Sequence, residues 1–211
     1  MFVASVVLDL VVGVLSVLGW LLLAFGVGDP DHLAARGMES LKYFTVLSNL
    51  FVGIVSVLCL LARLLAGPVL PPWLLALKLA ATSAVMITFI TVIVLLGPKF
   101  GWASMYSGGN LFMHLVTPLI AVTACVLFAQ VGRLPVWATI WGTVPSIIYG
   151  IWYVNTVRVH GAESAGKVYD FYGFLRWGWS KVPLLAAGMF CASWVISLGL
   201  WLASRTFCLM A

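Results

Sequence analysis

Charge is what this sequence has least of. Asp, Glu, Lys and Arg make up 8% of its 211 residues, where a soluble domain carries about 25%. A soluble enzyme and a disordered regulator are therefore excluded, because both need a solvated surface. The 11 basic and 6 acidic residues leave a formal charge of +5, too few cations for a nucleic-acid partner. Four cysteines (Cys59, Cys125, Cys191 and Cys208) lie scattered in or beside apolar runs, with no CxxC and no zinc-type spacing. Neither a disulfide framework nor a thiol site is expected of them. No basic stretch precedes the first apolar run, and Asp9 interrupts it, which argues for a retained span rather than a cleaved signal.

What remains is apolar: 64% of the chain is hydrophobic. Six stretches are long enough to cross about 30 Å of hydrocarbon at about 1.5 Å per residue. They run over 2–27, 41–64, 73–97, 109–131, 136–157 and 181–204. Each must be helical, since an open strand edge in lipid leaves amides without partners. The expected fold is all-α: a single polytopic bundle of six transmembrane helices over 1–211, with no soluble domain and the lipid bilayer as its first partner. The oligomeric state is not legible.

Six spans put both chain ends on one side, the terminal face. The loops after the first, third and fifth spans lie on the other, the loop face. Terminal-face connections are short, while the loop face carries His32, His160 and five of the six acids. It is also rich in aromatics, among them Trp102, Tyr106, Tyr169, Phe171, Tyr172, Phe174, Trp177 and Trp179. An interfacial belt accounts for part of that list, but long loops carry function more often than tight ones. Lys and Arg near the span ends number seven on the loop face and four on the terminal face, too small a margin to fix orientation.

Polar groups inside the spans must face protein or water. His114 follows Asn110 by about one turn at the start of the fourth span, and an imidazole there suits a general base, a proton relay or a ligand. Thr45, Ser48 and Asn49 share one stripe of the second span at i, i+3 and i+4. Singly, each reads as an ordinary helix–helix hydrogen bond. Counted from the loop face, Thr45 and His114 both lie roughly 6–8 Å deep, so a hydroxyl and its base can meet if the two helices are neighbours. A competing register aligns Asn49-Leu-Phe with Asn110-Leu-Phe, which would separate the two groups by several residues.

The segments KYFTVLSNL around Thr45 and NLFMHLVTPL around His114 resemble the paired motifs of the androgen-induced-gene family of six-pass membrane hydrolases. The loop YDFYGFLRWG is similar to that family's aromatic loop. The resemblance implies a threonine hydrolase of a bacterial style, in a bacterial cell membrane. Its substrates would be fatty-acyl esters, including fatty acid esters of hydroxy fatty acids. Thr45 would be the nucleophile and His114 its base, with no cofactor and no metal. Asn49 and Asn110, each one turn from a dyad member, are the candidate oxyanion donors. Ser48, Tyr149 and Tyr153 are candidate pocket lining, and Pro118 leaves the His114 carbonyl without its helical donor.

A second polar pair belongs to the other leaflet. Asp9 and Lys78 lie at matching depths from the terminal face and are expected to form a structural ion pair. The stripe Thr139, Thr143, Ser146 and Gly150 reads as a close helix contact. Two further functions stay open. One is a small proton- or ion-coupled transporter or channel using Asp9, Lys78 and His114. The other is a metal-dependent hydrolase joining His114 to His32, His160 or Asp170, although no HExxH or HxxxH pair is present.

Overall fold

The computed structural model describes residues 2–27 and 36–210; His32 lies outside them. Five helices are long and apolar enough to span a membrane: α1 (Phe2–Ala24), α2 (Phe44–Ala66), α3 (Pro72–Phe100), α4 (Gly108–Ala129) and the last helix, over Trp179–Leu209. The protein is an integral membrane protein of the all-α kind. Its outer surface presents the bare side chains that lipid demands, with Leu65, Phe25 and Leu209 all more than three-quarters exposed.

The sixth expected span is helical but divided. Residues Val136–Thr143 wind as a tight 3-10 turn, followed by α5 (Val144–His160). Pro145 is the cause. It has no amide to donate to the Trp141 carbonyl, and that carbonyl accepts instead from Val144 in the shorter i to i+3 pattern. The segment is tied to the bundle at two points. At its lower end Trp201 Nε1 donates to the Leu134 carbonyl (2.8 Å); at its upper end the Tyr149 hydroxyl donates to the Lys42 carbonyl (2.7 Å). The final helix, α6, occupies Val182–Met210. Between α5 and α6 a two-residue hairpin (Glu163–Ser164 with Lys167–Val168) turns through Ala165 and Gly166, both at positive φ.

Helices pack where side chains are small. A Cβ on Gly109 would lie 2.5 Å from the Leu23 backbone nitrogen, and one on Gly53 would lie 2.6 Å from the Ser16 Cβ. Those contacts draw α1 against α4 and α2. Gly142 does the same for the fifth segment, where a Cβ would meet Ser197 at 2.3 Å. The expected stripe is corrected at its end: Thr139, Thr143 and Ser146 are buried, but nothing approaches Gly150 within 4 Å. The core sits in the terminal half, where Val12, Val52, Leu74, Leu79, Cys125 and Trp201 pack together. A smaller cluster of Leu23, Val46 and Met113 closes the loop end.

Candidate functional site

At the loop end, α2 and α4 run side by side, joined by one side chain. Asn49 Nδ2 donates to the Thr45 carbonyl (2.8 Å) and to the Met113 carbonyl (3.0 Å). Two carbonyl oxygens that share one nitrogen lie within about 6 Å of each other, so the backbone of Thr45 stands close to that of Met113, next to His114. The competing register, with the two asparagines level, is overturned. Thr45 lies on the stripe between Asn49, which faces α4, and Ser48, which faces α3 through the Thr88 hydroxyl at 3.3 Å. Ser48 Oγ also donates to the Thr45 carbonyl (3.1 Å).

His114 occupies a wide π turn of α4, Phe112–Val116, in which the Thr117 amide donates to the Phe112 carbonyl five residues back. One residue after the turn comes Pro118, which has no amide for the His114 carbonyl. Such single-residue expansions often accompany functional side chains. Nδ1 lies 2.9 Å from the Met105 carbonyl, in the short helix Trp102–Met105. A carbonyl can only accept, so Nδ1 carries the proton and Nε2 keeps its lone pair. Among the described residues neither Nε2 nor the Thr45 hydroxyl has a hydrogen-bond partner, and the two are not bonded to each other. His114 is buried and Thr45 half-buried.

The two candidate oxyanion donors come out differently from expectation. Both N–H groups of Asn49 are committed to carbonyls, so Asn49 positions the two helices and has nothing left for a substrate. Asn110 donates weakly to the Ser104 carbonyl (3.4 Å) and lies in a crevice with Leu22, Leu23 and Gly26 at the end of α1. Among the described residues one of its N–H groups has no partner, and its buried carbonyl oxygen has none either.

Tyr149 and Tyr153 line an aromatic wall beside this region rather than an open pocket. Tyr149 packs on Phe44 at 5.0 Å between centroids, and Tyr153 packs edge-on against Phe171 at 5.1 Å. The Tyr172 hydroxyl accepts from the Phe44 amide (3.0 Å), satisfying a first-turn donor of α2 next to Thr45. Burial pushes the Tyr172 phenol above its ordinary titration range. Asp170 holds the loop together. It accepts from the Tyr153 hydroxyl and from the amides of Phe174 (2.8 Å) and Leu175 (2.9 Å). The signal was present in the sequence as an aspartate ahead of Tyr-Gly-Phe, a side-chain-to-backbone turn.

No protein-family model, no curated protein and no solved structure matches the chain. What the site can do therefore has to be argued from its own groups. No set of three His, Cys, Asp or Glu side chains among the described residues is placed to hold a metal. His160 stacks on Tyr169 at 4.4 Å in the loop, and the oxygens of Asp170 are already engaged.

At the terminal end Lys78 Nζ lies 2.7 Å from both Asp9 Oδ1 and the Ser56 hydroxyl. Arg63 joins the pair, its Nε 3.4 Å from Asp9 Oδ2, with Nη1 and Nη2 donating to the Pro68 (3.1 Å) and Phe128 (3.2 Å) carbonyls. The sequence reading missed Arg63, because a base in the last turn of a span ordinarily extends toward water. Here it folds inward and is 5% exposed.

Proposed function

We propose that this chain is a six-pass intramembrane ester hydrolase acting on fatty-acyl esters, with Thr45 as nucleophile and His114 as general base. The divided 136–160 segment is the sixth pass, and the membrane is a bacterial cell membrane, as the resemblance of the two motifs implies. The observation that supports the reading is the Asn49 amide, which bonds the backbone carbonyls of Thr45 and Met113 and so holds the backbone at Thr45 close to the residue that precedes His114. The Met105 carbonyl supports it further by fixing the tautomer in which Nε2 is basic.

The chemistry follows. Nε2 of His114 takes the Thr45 proton as the oxygen attacks the ester carbonyl carbon. Catalytic hydrogen bonds of this kind tighten when substrate fills the site. The tetrahedral adduct collapses with cleavage of its bond to the alcohol oxygen, which takes the proton back from His114. Water, deprotonated by the same nitrogen, then cleaves the acyl-threonine to a fatty acid and free Thr45. Of the two expected oxyanion donors, Asn110 alone keeps an N–H without a partner among the described residues.

Labelling with a serine/threonine-reactive fluorophosphonate and peptide mapping tests the proposal. Covalent mass on Thr45 in the wild type, absent in His114→Ala, is the expected result. Ester-hydrolysing protein that carries no label on Thr45 would refute it. The alternative, a proton- or ion-coupled transporter using Asp9, Lys78 and His114, predicts flux that Asp9→Asn abolishes while Thr45→Ala spares it.

A further inference from the structure

The terminal end of the bundle holds a cavity of about 470 Å³, far from Thr45 and His114. That volume falls in the range of ligand sites, about 300–1,000 Å³. Phe2, Val69, Leu75 and Leu134 give it apolar walls, and Arg63, Arg133 and Gln130 supply the polar groups. Among the described residues no carboxylate lines it. Asp9, the one described acid on this half of the bundle, is already shared by Lys78 (2.7 Å) and Arg63 (3.4 Å). Two buried cations against one buried anion leave an uncompensated positive charge under the cavity floor, a costly state inside a membrane protein.

Arg63 has five N–H groups. One faces Asp9 and two bond the Pro68 and Phe128 carbonyls, both at the cavity wall, so two N–H groups have no partner among the described residues. Arg133 has no partner among the described residues and stands exposed at the same cavity. Two guanidinium groups in the lining of one largely apolar cavity match a phosphate or carboxylate group that carries a hydrocarbon tail.

We propose that this cavity binds an anionic amphiphile, its phosphate or carboxylate between Arg63 and Arg133 and its chain against Phe2, Val69 and Leu75. The bound anion completes the charge balance of the Asp9–Lys78–Arg63 cluster. The site is separate from the proposed hydrolase centre and stands whether or not that centre is correct.

Purified protein in a neutral detergent is titrated with dioleoyl phosphatidylglycerol, with dioleoyl phosphatidylcholine and with orthophosphate, and bound lipid is read by native mass spectrometry. Phosphatidylglycerol is expected to bind at concentrations about tenfold below phosphatidylcholine. Arg133→Gln should weaken it about fivefold, and Leu75→Trp, which fills the chamber, should abolish the difference between the two lipids. Arg205→Gln is the control: its guanidinium rests on Trp201 at 5.1 Å and does not line the cavity. Equal retention of the two lipids, or Arg133→Gln binding phosphatidylglycerol like the wild type, overturns the proposal. Displacement of phosphatidylglycerol by millimolar orthophosphate also overturns it, since the ligand would then be a soluble anion.

Discussion

The side-chain amide of Asn49 donates to the backbone carbonyl of Met113 across 3.0 Å, and this one bond sets the register of α2 against α4. Its second hydrogen goes to the Thr45 carbonyl. Asn49→Leu removes both bonds and leaves the Met113 carbonyl without that partner. The expected cost is about 1–3 kcal/mol, seen as a lower unfolding midpoint in detergent. Ester hydrolysis should fall with it, since the depth match between Thr45 and His114 depends on that register.

His114 separates a positioning bond from a chemical one. In His114→Asn the shorter amide can still donate to the Met105 carbonyl, while the basic nitrogen is gone. The variant should unfold close to the wild-type midpoint and lose hydrolysis and labelling of Thr45 by about 100-fold or more. A variant that keeps its activity would remove His114 from the mechanism.

The Asp9 cluster makes a prediction about non-additivity. Asp9→Asn strands Lys78 and Arg63 with no counter-charge, and about 3–5 kcal/mol of destabilisation is expected. Lys78→Met leaves Asp9 with Arg63 and should cost less. The double variant should be more stable than the sum of the two single losses, because with Met at position 78 the loss of Asp9 strands one cation, Arg63, instead of two. Unfolding midpoints of the four proteins in detergent complete the cycle.

Tyr172 predicts an alkaline loosening of the aromatic loop. Its folded-state titration lies above the unfolded value of 10.0, because burial disfavours the phenolate. Below that value both states hold the proton and stability is unaffected by it. Above it the unfolded chain ionises first, so stability falls as pH rises toward the folded value. Hydrogen exchange at Phe44 and Phe174 should accelerate above about pH 10. Tyr172→Phe should lessen that pH dependence while losing the bond to the Phe44 amide; the part that stays belongs to Tyr43, whose phenol burial also raises.

Much of this architecture could be read from the chain because membrane helices obey simple geometry. Apolar length alone located five long helices, and the fixed rise per residue set Thr45 and His114 near one depth whatever the packing. The pairing of Asp9 with Lys78 was legible because a lone charge at that depth has no other recourse. Periodicity said nothing of how far a flexible side chain reaches or which way it turns. Arg63 therefore went unnoticed, and Asn49 was assigned to a substrate when its hydrogens serve two carbonyls. The division of the fifth span was written in Pro145, but its effect depends on which carbonyl the missing amide would have met. Gly142, not Gly150, makes the close approach because proximity depends on the neighbour as much as on the glycine.

The first turn of α2 is splinted from above. Tyr149 grips the chain just before it, at Lys42, and Tyr172 grips it at Phe44, one residue from the proposed nucleophile. Any rearrangement of the 169–177 segment that lets water or a polar headgroup descend must tug on that turn. Admission of the reactant and alignment of the attacking oxygen would then be one mechanical event, not two.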